Sequence, residues 1–131
     1  MNQTEEKFVA SYTTRGVITI DSSKTAKQAA ELMTELNIGC VLISEEGTPV
    51  GIITDKDMVS KVVAEDKIPS KTSVVEIMSS PIITIQSTAT VQEALSIMIK
   101  KGINHLVVTE KGSIIGIFSY RNLISTEKAI I

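Results

Sequence analysis

The feature that most constrains this chain is that it is written twice. At an offset of about 65 residues, Val9–Val59 aligns without gaps onto Val74–Ile124, with about a quarter of positions identical. Most other pairs are conservative: Leu32 against Ile97, Val41 against Leu106, Thr54 against Ser119, Lys56 against Arg121. The 131 residues therefore divide into a tail (1–8), a first repeat (9–64), a polar linker with a proline (65–73) and a second repeat (74–131). Halves of roughly 55–60 residues bury too little apolar surface to stand alone, so pairing of the two is expected.

Each repeat has the same succession of patterns. Val17–Ile20 (V-I-T-I) and Ile82–Ile85 (I-I-T-I) are short β-branched runs that suit strands, opened by Gly16 and Pro81. Thr25-Ala-Lys-Gln28 and Thr90-Val-Gln-Glu93 are capping boxes. They predict helices over Ala26–Leu36 and Val91–Lys101, closed by Asn37 and Gly102. Ala26, Ala29, Ala30, Leu32, Met33 and Leu36 form the core stripe of the first helix; Val91, Ala94, Leu95 and Met98 form that of the second. Ile97 falls off that stripe and suggests a second apolar face, suited to self-association.

Two strands follow in each copy, Val41–Ser44 and Val50–Thr54, then Leu106–Thr109 and Ile114–Ser119, with Gly47 and Gly112 in the turns. Being apolar almost throughout, they should be covered on both faces. Each repeat ends in a helix. The first should span Asp55–Ala64, with Met58, Val59, Val62 and Val63 on one face; the second should span Tyr120–Ser125, with Leu123 and Ile124. The expected fold is thus α/β (α+β): two pseudo-symmetric β-α-β-β-α repeats packed through their sheets, helices outside.

The stretch with most chemical content is Gly51–Asp57, G-I-I-T-D-K-D, and its second copy Gly116–Asn122, G-I-F-S-Y-R-N. An apolar strand runs straight into a helix with Thr54 as N-cap and Asp57 in the first turn, so both polar groups face the same way. A hydroxyl, a carboxylate and free backbone N–H groups suit the vicinal hydroxyls of a sugar. A helix cap alone would leave the same signature.

Composition narrows the function classes. Thirteen basic residues against fifteen acidic ones leave no electrostatic footprint for nucleic acid or an anionic membrane. Phe8, Tyr12, Phe118 and Tyr120 are all the aromatics, too few for a base-stacking surface. Cys40 is the only cysteine and sits in an apolar run, which suits a buried free thiol. The first residues are polar and acidic, and no apolar run approaches the ~20 residues that cross a bilayer, so a soluble, cytoplasmic protein is expected. No nucleophile–base pair, paired acids, phosphate-binding glycine loop or metal-ligand cluster is visible, and one Cys with one His disfavours zinc or thiol catalysis. A non-enzyme is expected.

The repeated β-α-β-β-α pattern, with G-h-h-[TS]-x-x-D at the junction into its last helix, resembles the cystathionine beta-synthase (CBS) domain, and the tandem resembles a Bateman module. Val74–Ile85, V-V-E-I-M-S-S-P-I-I-T-I, is similar to the family's approach to its first strand. The resemblance implies an adenine nucleotide, AMP, ADP or ATP, held in a cleft between paired repeats, with magnesium accompanying ATP and no resident cofactor. It carries Thr54 and Asp57 to the ribose; Ile52, Ile82, Ile83 and Val107 to the adenine; and Arg121, His105 and Asn104 to the phosphates. The pseudo-symmetric site would use Ser119 and Asn122 for ribose, with Ile18, Gly39, Leu42 and Lys56 around base and phosphate. There Asn122 stands where the pattern has an acid, so a weaker or empty site is expected.

Two functional readings follow. One is a stand-alone sensor that signals its occupancy to an effector protein in trans, as a homodimer paired through its helices. The other is a dimeric interaction protein with a vestigial cleft. S-adenosylmethionine is an alternative ligand, and nucleic-acid binding is argued against by the charge balance.

Overall fold

The computed structural model describes residues 6–124. Both long helices begin and end where their caps are written. Helix α1 spans Ala26–Leu36 and α4 spans Val91–Lys101, each opened by a complete capping box, Thr25 with Gln28 and Thr90 with Glu93. Each closes on a left-handed residue, Asn37 and Gly102. Between them in the chain lie two short helices, α2 (Asp55–Met58) and α3 (Val74–Ile77).

The strands are β1 (Thr14–Arg15), β2 (Thr19–Asp21), β3 (Cys40–Glu45), β4 (Thr48–Thr54), β5 (Thr84–Gln86), β6 (His105–Glu110) and β7 (Ser113–Ser119). β2 pairs parallel with β3, and β3 antiparallel with β4. In the second sheet β5 pairs parallel with β6, β6 antiparallel with β7, and β7 antiparallel with β1. Both hairpins turn through two residues of positive φ, Glu46–Gly47 and Lys111–Gly112. That backbone matches the strand twist and is why glycine sits in each.

The chain folds as two compact units: Ile18–Ile82, and residues up to Val17 together with those from Ile83 onward. Neither unit is one sequence repeat. Residues Val9–Arg15, which open the first repeat, complete the unit of the second: a 3₁₀ turn over Val9–Tyr12 leads into β1, on the edge of β7. Residues Val74–Ser79, which open the second repeat, complete the unit of the first: α3 leads to Ser79, which exchanges two backbone hydrogen bonds with Ile52 of β4 (2.8 and 3.0 Å).

Each unit has its own core. In Ile18–Ile82, Val74 and Ile77 of α3 are fully buried with Ala26, Ala29, Val41, Ile43 and Ile53. The valines and isoleucines among them contribute about 1.5–3 kcal/mol each when fully buried. In the other unit Val9 and Phe118, both at 0% exposure, pack with Ala94, Leu106 and Val108. The expected linker is part of the unit Ile18–Ile82: Thr72 is buried, its hydroxyl donates to the Ile68 carbonyl (2.8 Å) and its own carbonyl receives the Ala26 N–H (2.7 Å). In the expected tail, Phe8 bridges to Thr90 and the Lys7 carbonyl accepts from the Val91 N–H.

Several expectations need correction. The first strand of each repeat pairs over Thr19–Asp21 and Thr84–Gln86 rather than from Val17 and Ile82; Ile18 and Ile83 offer only their carbonyls, to Leu42 and Val107. The helix after β4 turns from α to π winding at Val59–Val63. The wider turn changes its phase, so Val62 is buried and Met58 packs on the core, while Val59 and Val63 point to solvent. Leu36, in the last turn of α1, is exposed. Ile97 is partly buried against its own unit's core, because the buried stripe of α4 centres on Val91, Ala94 and Met98. The exposed apolar residue on α4 is Ile99, 82% exposed, beside half-buried Leu95. Residues 120–124 are helical as expected; Ser125, Ile130 and Ile131 lie outside the described residues.

Candidate functional site

Strand β4 delivers Thr54 to the end of the sheet in an extended conformation, and α2 begins with the next residue. The turn closes on itself. The Thr54 hydroxyl oxygen accepts the Asp57 N–H (3.3 Å), and Asp57 Oδ2 accepts the Thr54 N–H (2.9 Å) and lies 3.3 Å from the Thr54 hydroxyl. The other carboxylate oxygen faces outward from the turn. Oδ1 accepts from the Ser79 hydroxyl (3.2 Å) and pairs with Lys61 Nζ (3.0 Å). Lys61 also donates to the Ile77 carbonyl (3.2 Å) and lies 3.3 Å from the Ser79 hydroxyl. Asp57 is 6% exposed, so this is a buried carboxylate with a full set of donors.

The glycine before this run has a packing reason. A Cβ on Gly51 would lie 2.8 Å from Met78 Cγ, so the segment joining α3 to Ser79 lies directly over β4. In the other unit a Cβ on Gly116 would lie 2.7 Å from Thr13 Cγ2 and meet the Thr14 carbonyl. Both glycines let the exchanged segment approach.

The second turn repeats the first with weaker groups. Ser119 is buried and its hydroxyl accepts the Asn122 N–H (3.1 Å). The Asn122 side-chain amide donates to the Thr14 hydroxyl in a close hydrogen bond. Thr14 and Ser79 occupy the same place in the repeat, so in each unit a hydroxyl from the exchanged segment bonds the last residue of the T/S-x-x-D/N turn. The sequence reading missed both hydroxyls and Lys61. The signal for Ser79 was the match of Val9–Thr14 to Val74–Ser79; for Lys61 it was the i,i+4 spacing from Asp57.

The remaining site residues divide between the units. In Ile18–Ile82 the structure brings together Thr54, Asp57 and Ile52, and, on the neighbouring strands, Leu42 with Ile18, whose carbonyl accepts the Leu42 N–H (2.9 Å). Gly39 accepts the Asp55 N–H (3.1 Å), and Lys56 is exposed in the first turn of α2. Ile82 is half-buried at the end of that unit. In the other unit His105 pairs in register with Ser119, and the Asn104 carbonyl accepts the Tyr120 N–H (3.3 Å). Ile83 and Val107 are joined as Ile18 and Leu42 are, and Arg121 is exposed. Leu42 and Val107 are each 1% exposed and Ile52 9%, whereas Ile18 is 39% exposed.

Burial, and secondarily the charge of Asp55, push the Cys40 thiol up to about 12, far from any role as a nucleophile at neutral pH. Among the described residues no group of three or more His, Cys, Asp and Glu is placed to hold a metal ion, and no helix is long and apolar enough to cross a membrane.

A family model, the CBS domain, matches residues 9–64 and again 74–128. An uncharacterized protein of Methanopyrus kandleri is 39% identical over 119 residues, covering 89% of this chain and 61% of its own length. The chain thus spans under two thirds of that relative. The CBS domain-containing protein YhcV of Bacillus subtilis is 26% identical over 110 residues, covering 84% of this chain and 78% of its own. The crystal structure of an uncharacterized conserved protein from Pyrococcus horikoshii shares the fold, with a TM-score of 0.87, 24% identity and 96% of each chain covered.

Proposed function

This chain belongs to the CBS-domain family as a tandem pair of its domains, a Bateman module, and on that premise we propose that it is a non-catalytic regulatory module that binds an adenosine-containing ligand and reports its occupancy to a partner protein. Proteins of this family are regulatory and often bind adenosine compounds. The observation that carries the reading to this chain is the Thr54–Asp57 turn. It holds a hydroxyl and an ionisable carboxylate together at a strand end, in the residue types and spacing that a ribose diol needs.

On this reading Thr54 and Asp57 take the ribose, Ile52, Ile82, Ile83 and Val107 serve the base, and Asn104, His105 and Arg121 serve the phosphates. AMP, ADP and ATP are the first ligands to try, ATP with magnesium, followed by S-adenosylmethionine. The second site, Ser119 and Asn122 with Ile18, Gly39, Leu42 and Lys56, binds more weakly. Its amide carries no charge and its N–H already serves Thr14. A homodimer through the helices accords with the exposed Ile99 on α4.

One observation favours the alternative, an interaction module with a vestigial site: the protein itself fills the acceptor positions of Asp57. Thermal unfolding, followed by circular dichroism because the chain has no tryptophan, separates the two. The sensor gains about 2.7 kcal/mol at a hundredfold excess of ligand over its Kd, a rise of several degrees. The gain disappears in Asp57→Asn. No rise with any ligand supports the interaction module instead.

A further inference from the structure

Asp57 is ligated before any ligand arrives, and its two oxygens are ligated differently. Oδ2 is held by Thr54, inside the turn that it caps. Oδ1 is held by two side chains from outside the turn, the Lys61 ammonium at 3.0 Å and the Ser79 hydroxyl at 3.2 Å. A carboxylate offers about four lone-pair positions, and these donors use them. A ribose diol can therefore reach Asp57 only by displacing a donor, and the exchangeable ones are on Oδ1.

We propose that Lys61 and Ser79 occupy the positions of the ligand's vicinal hydroxyls on Asp57, as a resident lock that sets the site's affinity and its demand for a diol. The inference rests on the adenosine-ligand reading above and deepens it. Two O–H donors replace two side-chain donors, so the buried carboxylate stays satisfied throughout and is never left bare. A ligand with only one hydroxyl, or none, leaves Oδ1 poorly paired once the lock opens. Lys61 can leave readily: its side chain is 36% exposed, and it keeps the Ile77 carbonyl as a partner at 3.2 Å. The Ser79 backbone stays paired with Ile52 when its hydroxyl lets go.

A lock of this kind weakens binding by the fraction of time that it is open. If the open form is about a tenth of the population, the apparent affinity is about tenfold below the intrinsic one. Lys61→Met keeps the apolar stem and removes the ammonium; Ser79→Ala removes the hydroxyl and keeps the backbone pairing.

The test is calorimetric titration of the full chain, wild type and both variants, with adenosine and 2′,3′-dideoxyadenosine. These are neutral probes, so the loss of a lysine charge does not by itself alter attraction. Expected are an adenosine affinity about tenfold tighter in Lys61→Met, a smaller gain in Ser79→Ala, and no gain for the dideoxy compound. A merely structural role for Lys61 would lower the unfolding temperature and leave adenosine affinity where it was. Unchanged or weaker adenosine binding in a folded Lys61→Met, with binding intact in the wild type, overturns the lock alone. Absence of adenosine binding from the wild type and both variants overturns the lock, and silence in a parallel titration with AMP overturns the ligand reading with it. Should Lys61→Met not fold, the Ser79→Ala comparison decides.

Discussion

Replacing each motif glycine by alanine tests the exchange of segments between repeats, because the two substitutions meet different obstacles. In Gly51→Ala the new methyl meets one flexible side chain, that of Met78, at Sδ, Cγ (2.8 Å) and Cβ (3.1 Å), of which Sδ and Cγ can swing away with the rotamer while Cβ must shift by a few tenths of an ångström. In Gly116→Ala it meets backbone, the Thr14 carbonyl group with its carbon at 3.0 Å, as well as Thr13 Cγ2 at 2.7 Å. A methionine can change rotamer, but a strand hydrogen-bonded to β7 can move only by breaking its pairing. Overpacking costs about 1–3 kcal/mol, and losing glycine's freedom in the unfolded chain returns about 0.4–1 kcal/mol. Gly51→Ala should then destabilise by about 1 kcal/mol or less and Gly116→Ala by about 2 kcal/mol. In urea melts with slopes of about 1–3 kcal/mol per M, that is a midpoint lower by about 0.7–2 M for Gly116→Ala. Equal losses, or a milder Gly116→Ala, would show that β1 does not lie on β7, and the account of the exchanged segment would fail.

Other outcomes follow from the same contacts. Thr25→Ala and Thr90→Ala each remove the hydroxyl half of a capping box and should lower stability by about 1 kcal/mol, measured by urea unfolding, while Ser23→Ala, which touches neither helix cap, changes it little. Asp57→Ala should destabilise more than Asp57→Asn. The amide still offers an acceptor to the Thr54 N–H, whereas alanine leaves that half-buried donor without its acceptor and removes the Lys61 and Ser79 contacts as well, at about 1–3 kcal/mol. Cys40 should resist alkylation in the native protein at pH 8 and react freely in urea. Its thiol stays protonated to about 12 when folded, but ionises near pH 8.5 when unfolded. Stability is thus intact below about pH 8.5 and falls above it, by at most about 1.4 kcal/mol per pH unit, as the unfolded chain loses a proton that the folded chain keeps. Cys40→Val should abolish that contribution to the alkaline slope.

What could be read from the sequence was what is local. The bounds of α1 and α4 follow from Thr25, Asn37, Thr90 and Gly102, because caps act within a turn of the residues that they serve. The hairpins follow from Gly47 and Gly112, since only a turn of positive φ matches the strands. The Thr54–Asp57 turn was legible for the same reason. Three things were not. The phase of the helix after β4 depends on π winding at Val59–Val63, which carries no residue signature and exposes two valines that an α-helical wheel would bury. The assignment of Val9–Arg15 and Val74–Ser79 to the opposite repeat's unit is long-range pairing, and the repeat register is the same whichever partner each segment takes. Ser79 stands 22 residues from Asp57, so their contact could not be read from spacing on a helix.

The most direct test of the central claim is calorimetric titration of the purified chain with AMP, ADP, ATP and S-adenosylmethionine, beside Asp57→Asn. The account predicts binding of at least one of them at about one strong site per chain, lost or greatly weakened in the variant. A folded wild type that gives no heat with any of the four, or an Asp57→Asn that binds as tightly as the wild type, would contradict it.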